Sequence, residues 1–344
     1  MTIKEFVQKY DSQNQFDVLI KSYLQIENAW NNQIKINGIN PSGISNIVIS
    51  GLGGSAISAD LIKNFLRDEV SIPIFVNRNY SLPLFANKKT LFIASSYSGN
   101  TEETISSLKQ AIELGCKIIC ISTGGEIESI AKSNNINCIK VQEGFQPRYS
   151  LGLSFFSMLK VFQELGFIKD QSLVVEKIKS IWKKNGIKFS KEGNTAYSLA
   201  ESLVGFIPVI YSVADSTSSV GYRFKCQLNE NSKLHAFHNE VPEMNHNEII
   251  GWESYKEKIF HSKIVIIADD VYHPKIQKRF DILKEIFSKT GVEIIYLKSN
   301  EENFKVRLLD LIYLGDWISY YLGVLRGFDP SEIDNIHTLK EKLK

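Results

Sequence analysis

Hydrophobic positions along most of the chain follow two alternating patterns, which together predict a repeating order of strands and helices. Short, continuous apolar runs, such as residues 47–50 and 91–95, are typical of strands buried on both faces of a parallel sheet. Between such runs lie amphipathic segments, for example residues 101–114, where apolar side chains recur every three or four positions. The alternation predicts an α/β fold in which helices cover both faces of a parallel sheet.

The elements can be assigned from these patterns over most of the chain. We predict strands at residues 47–50, 72–76, 91–95, 117–121, 137–141, 206–211, 263–268 and 292–297. We predict helices at residues 56–65, 101–114, 126–133, 150–165, 217–228, 274–289 and 302–325.

Two stretches of the chain share one layout, which indicates an internal duplication. The order strand, loop, helix, glycine and strand occurs in KKTLFIASSYSGNTEETISSLKQAIELGCKIICIS, from Lys88, and again in SKIVIIADDVYHPKIQKRFDILKEIFSKTGVEIIYLK, from Ser262. We therefore predict two doubly wound parallel-sheet domains. The expected division is an N-terminal helical arm at 1–40, a first α/β domain at 41–166, a helical connection at 167–194, a second α/β domain at 195–327 and a C-terminal tail helix at 328–344.

Composition narrows the possible functions. The 344 residues suit two domains of about 150 residues each. A formal net charge of +2 argues against a nucleic-acid binder, which needs a basic surface. The first eleven residues carry both signs of charge and no apolar run, which argues against a signal peptide. The late apolar run 308–325 contains Asp310 and Asp316, and we expect it to be a buried helix. We therefore expect a cytoplasmic enzyme or binding protein that neither spans a membrane nor binds nucleic acid.

Two loops are candidates for binding an anion. Residues 51–55 (GLGGS) and residues 96–101 (SYSGNT) each follow a predicted strand and precede a predicted helix. Hydroxyl groups, flexible glycines and the amide groups of a helix start can together hold a phosphate without lysine or arginine. The candidate residues are Gly54, Ser55, Ser96, Ser98 and Thr101. Neither loop matches a Walker or dinucleotide-binding motif, and the alternative interpretation is a pair of ordinary turns and helix caps.

Four motifs in the chain resemble those of phosphosugar enzymes. The sequence SYSGNTEET is similar to the signature of the sugar isomerase (SIS) domain, which binds phosphosugars. With GLGGSAISADL, QPRYSLG and FKCQLNENSKLHAFHNEVPEMNHNEIIGW, the tandem arrangement resembles the bifunctional phosphoglucose/phosphomannose isomerases of the phosphoglucose isomerase superfamily. The likeness covers roughly residues 45–344 and implies two SIS domains.

The resemblance implies an aldose–ketose isomerase that converts glucose 6-phosphate, and mannose 6-phosphate, to fructose 6-phosphate through a cis-enediol. By resemblance, Glu230 is the proton-transfer base, and Arg148 stabilises the enediolate. His246, contributed by the other subunit of a dimer, opens the sugar ring with help from Lys340. We expect a homodimer with shared active sites and no cofactor.

Three alternatives compete with this interpretation. A non-catalytic SIS-domain sensor would bind the sugar phosphate without turnover. A metal site would draw on a cluster of titratable side chains at His235, His238, Glu240, Glu243 and His246, but their spacing does not fit the helical HExxH pattern, and we expect no metal. An aminosugar synthase would add an amidotransferase domain that this sequence lacks.

Overall fold

The computed structural model of the chain describes residues 1–343. Contacts between residues divide the chain into two compact units. The first unit is Ser22–Ser180, and the second joins Met1–Lys21 to the residues from Ile181 onward. The unit boundaries cross the predicted N-terminal arm between residues 21 and 22 and the predicted connection between residues 180 and 181.

The helices and strands follow each other in the predicted rhythm. In chain order they are α1 (Ile3–Tyr10), α2 (Gln15–Ile20), α3 (Ser22–Asn31), β1 (Asn46–Ser50), α4 (Gly54–Phe65), β2 (Ile74–Asn77), β3 (Thr90–Ser95), α5 (Glu102–Glu113), β4 (Lys117–Ser122), α6 (Gly125–Ser133), β5 (Asn137–Lys140), α7 (Leu151–Glu164), α8 (Ser172–Phe189), α9 (Thr195–Ser202), β6 (Ile207–Val213), α10 (Ser218–Ser232), β7 (Phe237–Val241), α11 (Glu248–Gly251), β8 (Ser262–Ala268), α12 (Pro274–Ser288), β9 (Glu293–Lys298), α13 (Phe304–Leu325) and α14 (Asp334–Lys342). Short 3₁₀ helices lie at Pro41–Gly43, Pro147–Tyr149, Glu243–His246 and Trp252–Glu257.

The first unit contains a five-stranded sheet in the order β2-β1-β3-β4-β5, in which every pair is parallel. Its central strand β3 is fully buried because helices pack on both faces, as the continuous apolar runs predict. From β1 the chain first pairs β2 on one side and then β3 on the other. The carboxyl ends of β1 and β3 therefore flank the crevice where open α/β sheets bind their ligands.

The second unit contains a four-stranded parallel sheet in the order β7-β6-β8-β9. Buried residues of β6 and β8, including Tyr211 and Ile266, pack with Phe280 and Phe287 of α12 in one core cluster. The edge strand β7 is absent from the sequence-based assignment, since its His-Asn-Glu centre lacks an apolar run. All eight predicted strands are present, each within two residues of its predicted limits, and the predicted α/β class is confirmed.

Helix α13 forms the core of the second unit. It packs closely along α10, and a Cβ added at Gly323 would lie 2.5 Å from the Asn231 carbonyl oxygen. Within residues 1–343, α13 is the one helix long and apolar enough to cross a membrane by length and composition, but 83% of its apolar window is buried inside the protein. This burial agrees with the core helix predicted from Asp310 and Asp316 in the apolar run.

Candidate active site

Two loops lie side by side at the carboxyl edge of the first sheet. Strands β1 and β3 are parallel neighbours, with Ser50 beside Ala94, so the chain leaves both strands at the same edge. The loop after β1 leads into α4, and the loop after β3 leads into α5. Both predicted anion-binding loops therefore meet at the crevice between these strands.

The hydroxyl groups of Ser96 and Thr101 are in direct contact. The Ser96 Oγ and Thr101 Oγ1 atoms are 2.8 Å apart, and Ser96 Oγ also accepts a hydrogen bond from the Gly99 amide at 3.2 Å. Because one hydroxyl donates to the other, this pair uses one of its two hydrogens internally. The second hydrogen remains available to an oxygen of a bound anion.

Further donors surround this pair. Ser98 is exposed, and its Oγ accepts from the Asn100 amide at 3.3 Å, so its hydroxyl hydrogen is available to a ligand. Within residues 1–343, the backbone amides of Ser98 and Thr101 donate no hydrogen bond. Thr101 is the N-cap of α5, where amide groups carry partial positive charge. This arrangement suits an anion.

A third loop, residues 122–125, supports the 96–101 loop. A Cβ built at Gly99 would lie only 1.8 Å from the Gly124 carbonyl oxygen, so the two backbones touch. The Thr123 hydroxyl and amide both donate to the Tyr97 carbonyl, at 2.7 and 3.0 Å. The sequence analysis missed this loop, although the glycine pair at the end of a predicted strand is a signal that could have found it.

The loop after β1 contacts the segment that carries Arg148. A Cβ at Gly54 would lie 2.8 Å from the Pro147 carbonyl oxygen and 3.9 Å from the Arg148 Cα atom, so only glycine fits this approach. Ser55, in the first turn of α4, is buried beside it. Gly54 and Ser55 are thus brought next to Arg148, which is far from them in sequence.

Arg148 is held firmly at this position. The residue is only 4% exposed, and its guanidinium lies over the Tyr149 ring, with 5.4 Å from Cζ to the ring centroid. The Gln25 side-chain amide donates to the Tyr149 carbonyl at 2.7 Å, and the Ser150 hydroxyl donates to the Pro147 carbonyl at 2.9 Å. Arg148 is therefore fixed beside the loop after β1, and a guanidinium of this kind can stabilise negative charge.

In the second unit, Glu230 lies near the end of α10 and is half-buried. Its neighbours along the helix are tied to α13. Asp316 accepts hydrogen bonds from Arg223 at 2.9 and 2.8 Å and from Gln227 at 2.9 Å, and Asn231 donates to the Ser319 hydroxyl at 3.0 Å. These buried contacts fix the helix end that carries the Glu230 carboxylate.

His246 ends the 3₁₀ helix that follows β7, and its ring is exposed. Within the described part of the chain, no group forms a hydrogen bond with that ring. Lys340 lies on α14, a helix without a buried residue, and its side chain is also exposed. Both candidate side chains therefore face away from the core of the second unit.

The predicted residues thus fall into two groups, each described within its own unit. Within residues 22–180, Ser96 and Thr101 are in contact beside Ser98, and Gly54 and Ser55 lie next to the segment that carries Arg148. The second unit carries Glu230, His246 and Lys340, on three different elements.

The histidines considered for a metal site have other surroundings. His238 Nε2 is 2.7 Å from Ser212 Oγ, and burial lowers the pKa of His238 to about 4. His235 is exposed and packs edge-on against Phe237. Over residues 1–343, no three His, Cys, Asp or Glu side chains are grouped so that they could hold a metal ion.

Two family models match the chain. The model of the SIS domain matches residues 42–162, and that of the bacterial phospho-glucose isomerase C-terminal SIS domain matches residues 192–343. Both matched ranges lie near the two α/β domains expected from the sequence.

Curated relatives match over nearly the whole chain. A bifunctional phosphoglucose/phosphomannose isomerase from Caldicellulosiruptor bescii is 38% identical over 93% of this chain and 96% of its own length. The same-named protein from Aquifex aeolicus is 38% identical over 87% of this chain and 90% of its own length. Among solved structures, a putative phosphosugar isomerase from Clostridium difficile superposes with a TM-score of 0.66 over 98% of both chains at 20% identity, which shows a shared fold.

Proposed function

The chain belongs to the family of bifunctional phosphoglucose/phosphomannose isomerases, and we propose that it interconverts glucose 6-phosphate and mannose 6-phosphate with fructose 6-phosphate. The proposal is carried by the cluster of hydroxyl groups and unpaired amides at residues 96–101, in the same unit as the buried Arg148 beside Gly54. Such a site offers donors for a phosphate and a cation for a developing oxyanion.

In the proposed mechanism, Ser55, Ser96, Ser98 and Thr101 bind the substrate phosphate, with Gly54 leaving room for close approach. His246, assisted by Lys340, opens the cyclic sugar by moving a proton between the ring oxygen and the C1 hydroxyl. Glu230 then takes the proton from C2 and returns it to C1, while Arg148 stabilises the enediolate. Rotation about the C2–C3 bond of the intermediate lets one site accept both epimers at C2.

We propose that the protein works in the cytoplasm as a homodimer with shared active sites, without binding nucleic acid or entering a membrane. The exposure of His246 and Lys340 supports the shared site, because neither side chain is held by its own unit. Helix α14 and the residue after it also present Ile336, Leu339 and Leu343 to solvent, with exposed fractions of 38%, 60% and 62%. An apolar face of this kind suits contact with a second copy of the chain.

Steady-state kinetics with glucose and mannose 6-phosphates side by side test the proposal. We expect both to yield fructose 6-phosphate. In heavy water, a proton shuttled by a carboxylate through an enediol exchanges with solvent, so deuterium should enter at C1 of the ketose. Binding of both sugar phosphates without turnover would support the non-catalytic sensor instead.

A further inference from the structure

A network of hydrogen bonds fixes the chain on the carboxyl-terminal side of His246. The Glu248 carboxylate accepts from the Tyr211 hydroxyl at 2.6 Å through Oε1 and from the Asn239 amide at 2.5 Å through Oε2. The Tyr211 oxygen in turn accepts from Trp252 Nε1 at 2.7 Å. We call Glu248, Tyr211, Asn239 and Trp252 the Glu248 clamp.

The clamp is anchored in the core of the second unit. Tyr211 is fully buried on β6, and its ring stacks on Phe287 of α12. Burial, followed by the hydrogen bond to Glu248, raises the pKa of Tyr211, so its hydroxyl stays protonated and donates to the carboxylate. Trp252 packs in the same cluster. The carboxylate that follows His246 by two residues is thereby tied to a rigid strand.

The amino-terminal side of His246 is fixed as well. Met244 is buried in the same core cluster. Asn245 Oδ1 accepts from Arg279 Nη1 of α12 at 3.1 Å. The backbone at His246 is therefore held from both directions, although its own ring is exposed and has no partner among residues 1–343.

A half-buried carboxylate costs free energy unless strong hydrogen bonds compensate for its lost hydration. Here the compensating donors are Tyr211 of β6 and Asn239 of β7. They hold the short turn that presents the exposed imidazole of His246. We propose that Glu248 is a positioning residue, which acts through the clamp to fix His246 for opening of the sugar ring. This inference rests on the proposed function, which gives His246 its task.

The first test measures whether the clamp holds the turn. Hydrogen–deuterium exchange in the full-length protein is compared for wild type, Glu248→Gln and the control Glu253→Gln, whose side chain is exposed in the same segment. Glutamine keeps the size of glutamate but turns an amide N–H₂ group towards Asn239. We expect amides 245–247 to exchange at least fivefold faster in Glu248→Gln only. Unchanged exchange would overturn the clamp, whether or not the protein proves to be an isomerase.

The second test measures whether the clamp acts through His246. We expect Glu248→Gln to lower kcat for glucose 6-phosphate about tenfold, with unchanged affinity for 5-phosphoarabinonate, an open-chain analogue that needs no ring opening. The double variant Glu248→Gln/His246→Ala should be no slower than His246→Ala, because both changes remove one function. Tyr211→Phe should repeat this behaviour.

If the kcat losses of the two single variants multiply in the double variant, the positioning role is overturned. A wild type without turnover would refute the proposed function, and the exchange result would then decide on the clamp.

Discussion

Gly99 and Gly124 touch through their backbones, which leaves no room for a side chain at position 99. Gly99 has φ +71°, and its Cβ would also approach Ser122 Oγ to 2.7 Å. The contact joins the 96–101 loop to the loop after β4. The loops after β3 and β4 therefore form one continuous surface at the carboxyl edge of the first sheet, where we propose that the phosphate binds.

Replacing Gly99 with alanine should disrupt this surface. The left-handed backbone costs about 1 kcal/mol for alanine, and the clash with Gly124 forces the two loops apart. We expect the KM for glucose 6-phosphate to rise at least tenfold. Gly115→Ala is the matched control, because Gly115 has φ +68° but open space around its Cβ position. Equal effects of the two variants would show that the loop contact is unimportant.

Removing the hydroxyl groups of Ser98 and Thr101 should weaken substrate binding more than it slows chemistry. The double variant Ser98→Ala/Thr101→Ala loses the exposed donor and breaks the pair with Ser96. Two lost hydrogen bonds to a charged group amount to about 3 kcal/mol or more, so KM should rise roughly 100-fold at nearly constant kcat. Ser133→Ala, an exposed change at the end of α6, serves as control. An unchanged KM would place the phosphate elsewhere.

Changing Glu230 to glutamine should abolish turnover and preserve binding. The amide keeps the shape of the side chain but cannot accept the C2 proton, so roughly 3–5 kcal/mol of barrier lowering is lost, or more. We expect kcat to fall at least 100-fold, while the Kd of 5-phosphoarabinonate changes less than threefold. Glu201→Gln, on the exposed side of α9, is the control. A near-normal kcat in Glu230→Gln would refute the assigned base.

The stability of the protein should decrease in mild acid because of His238. Burial lowers the pKa of His238 to about 4, against about 6.5 in an unfolded chain. Between these values the unfolded state binds a proton that the folded state does not, so the free energy of unfolding falls as pH falls through this range. From pH 7.5 to pH 5 the expected loss from this residue is about 2 kcal/mol.

Urea unfolding at both pH values measures this effect. His238→Gln does not titrate, so its loss between pH 7.5 and pH 5 should be smaller than that of wild type by about 2 kcal/mol. His235→Gln, at an exposed position, should behave like wild type. The same pH dependence in all three proteins would contradict the burial of a neutral His238.

The fold could be predicted from the sequence where the residues of an element themselves carry the pattern of its burial. Central strands such as β3 are apolar throughout because both faces are covered, and this leaves an unmistakable pattern. Strand β7 leaves none, since it is an edge strand whose His238 and Asn239 bind Ser212 and Glu248. Both partners lie outside the strand itself, so the pattern of its own residues does not reveal it.

The candidate site was predictable in part for a similar reason. Ser96, Ser98 and Thr101 belong to one local motif, and their hydroxyl chemistry is readable in the sequence. The approach of Gly54 to Pro147 joins segments more than 90 residues apart, and only the folded chain shows it. Glu248 carried no signal beyond its motif, because its role depends on the burial of Tyr211 and Trp252.

The position of α13 near the end of the chain has a consequence for biosynthesis. This helix is apolar enough to be attracted to lipid, yet α1, α2, α9 and α10, against which it packs, all precede it. Translation proceeds from the amino terminus, so the ribosome has made these helices before α13, against which they pack, emerges. A circular permutant beginning at α13 would reverse that order, and its nascent chain would depend far more heavily on chaperones.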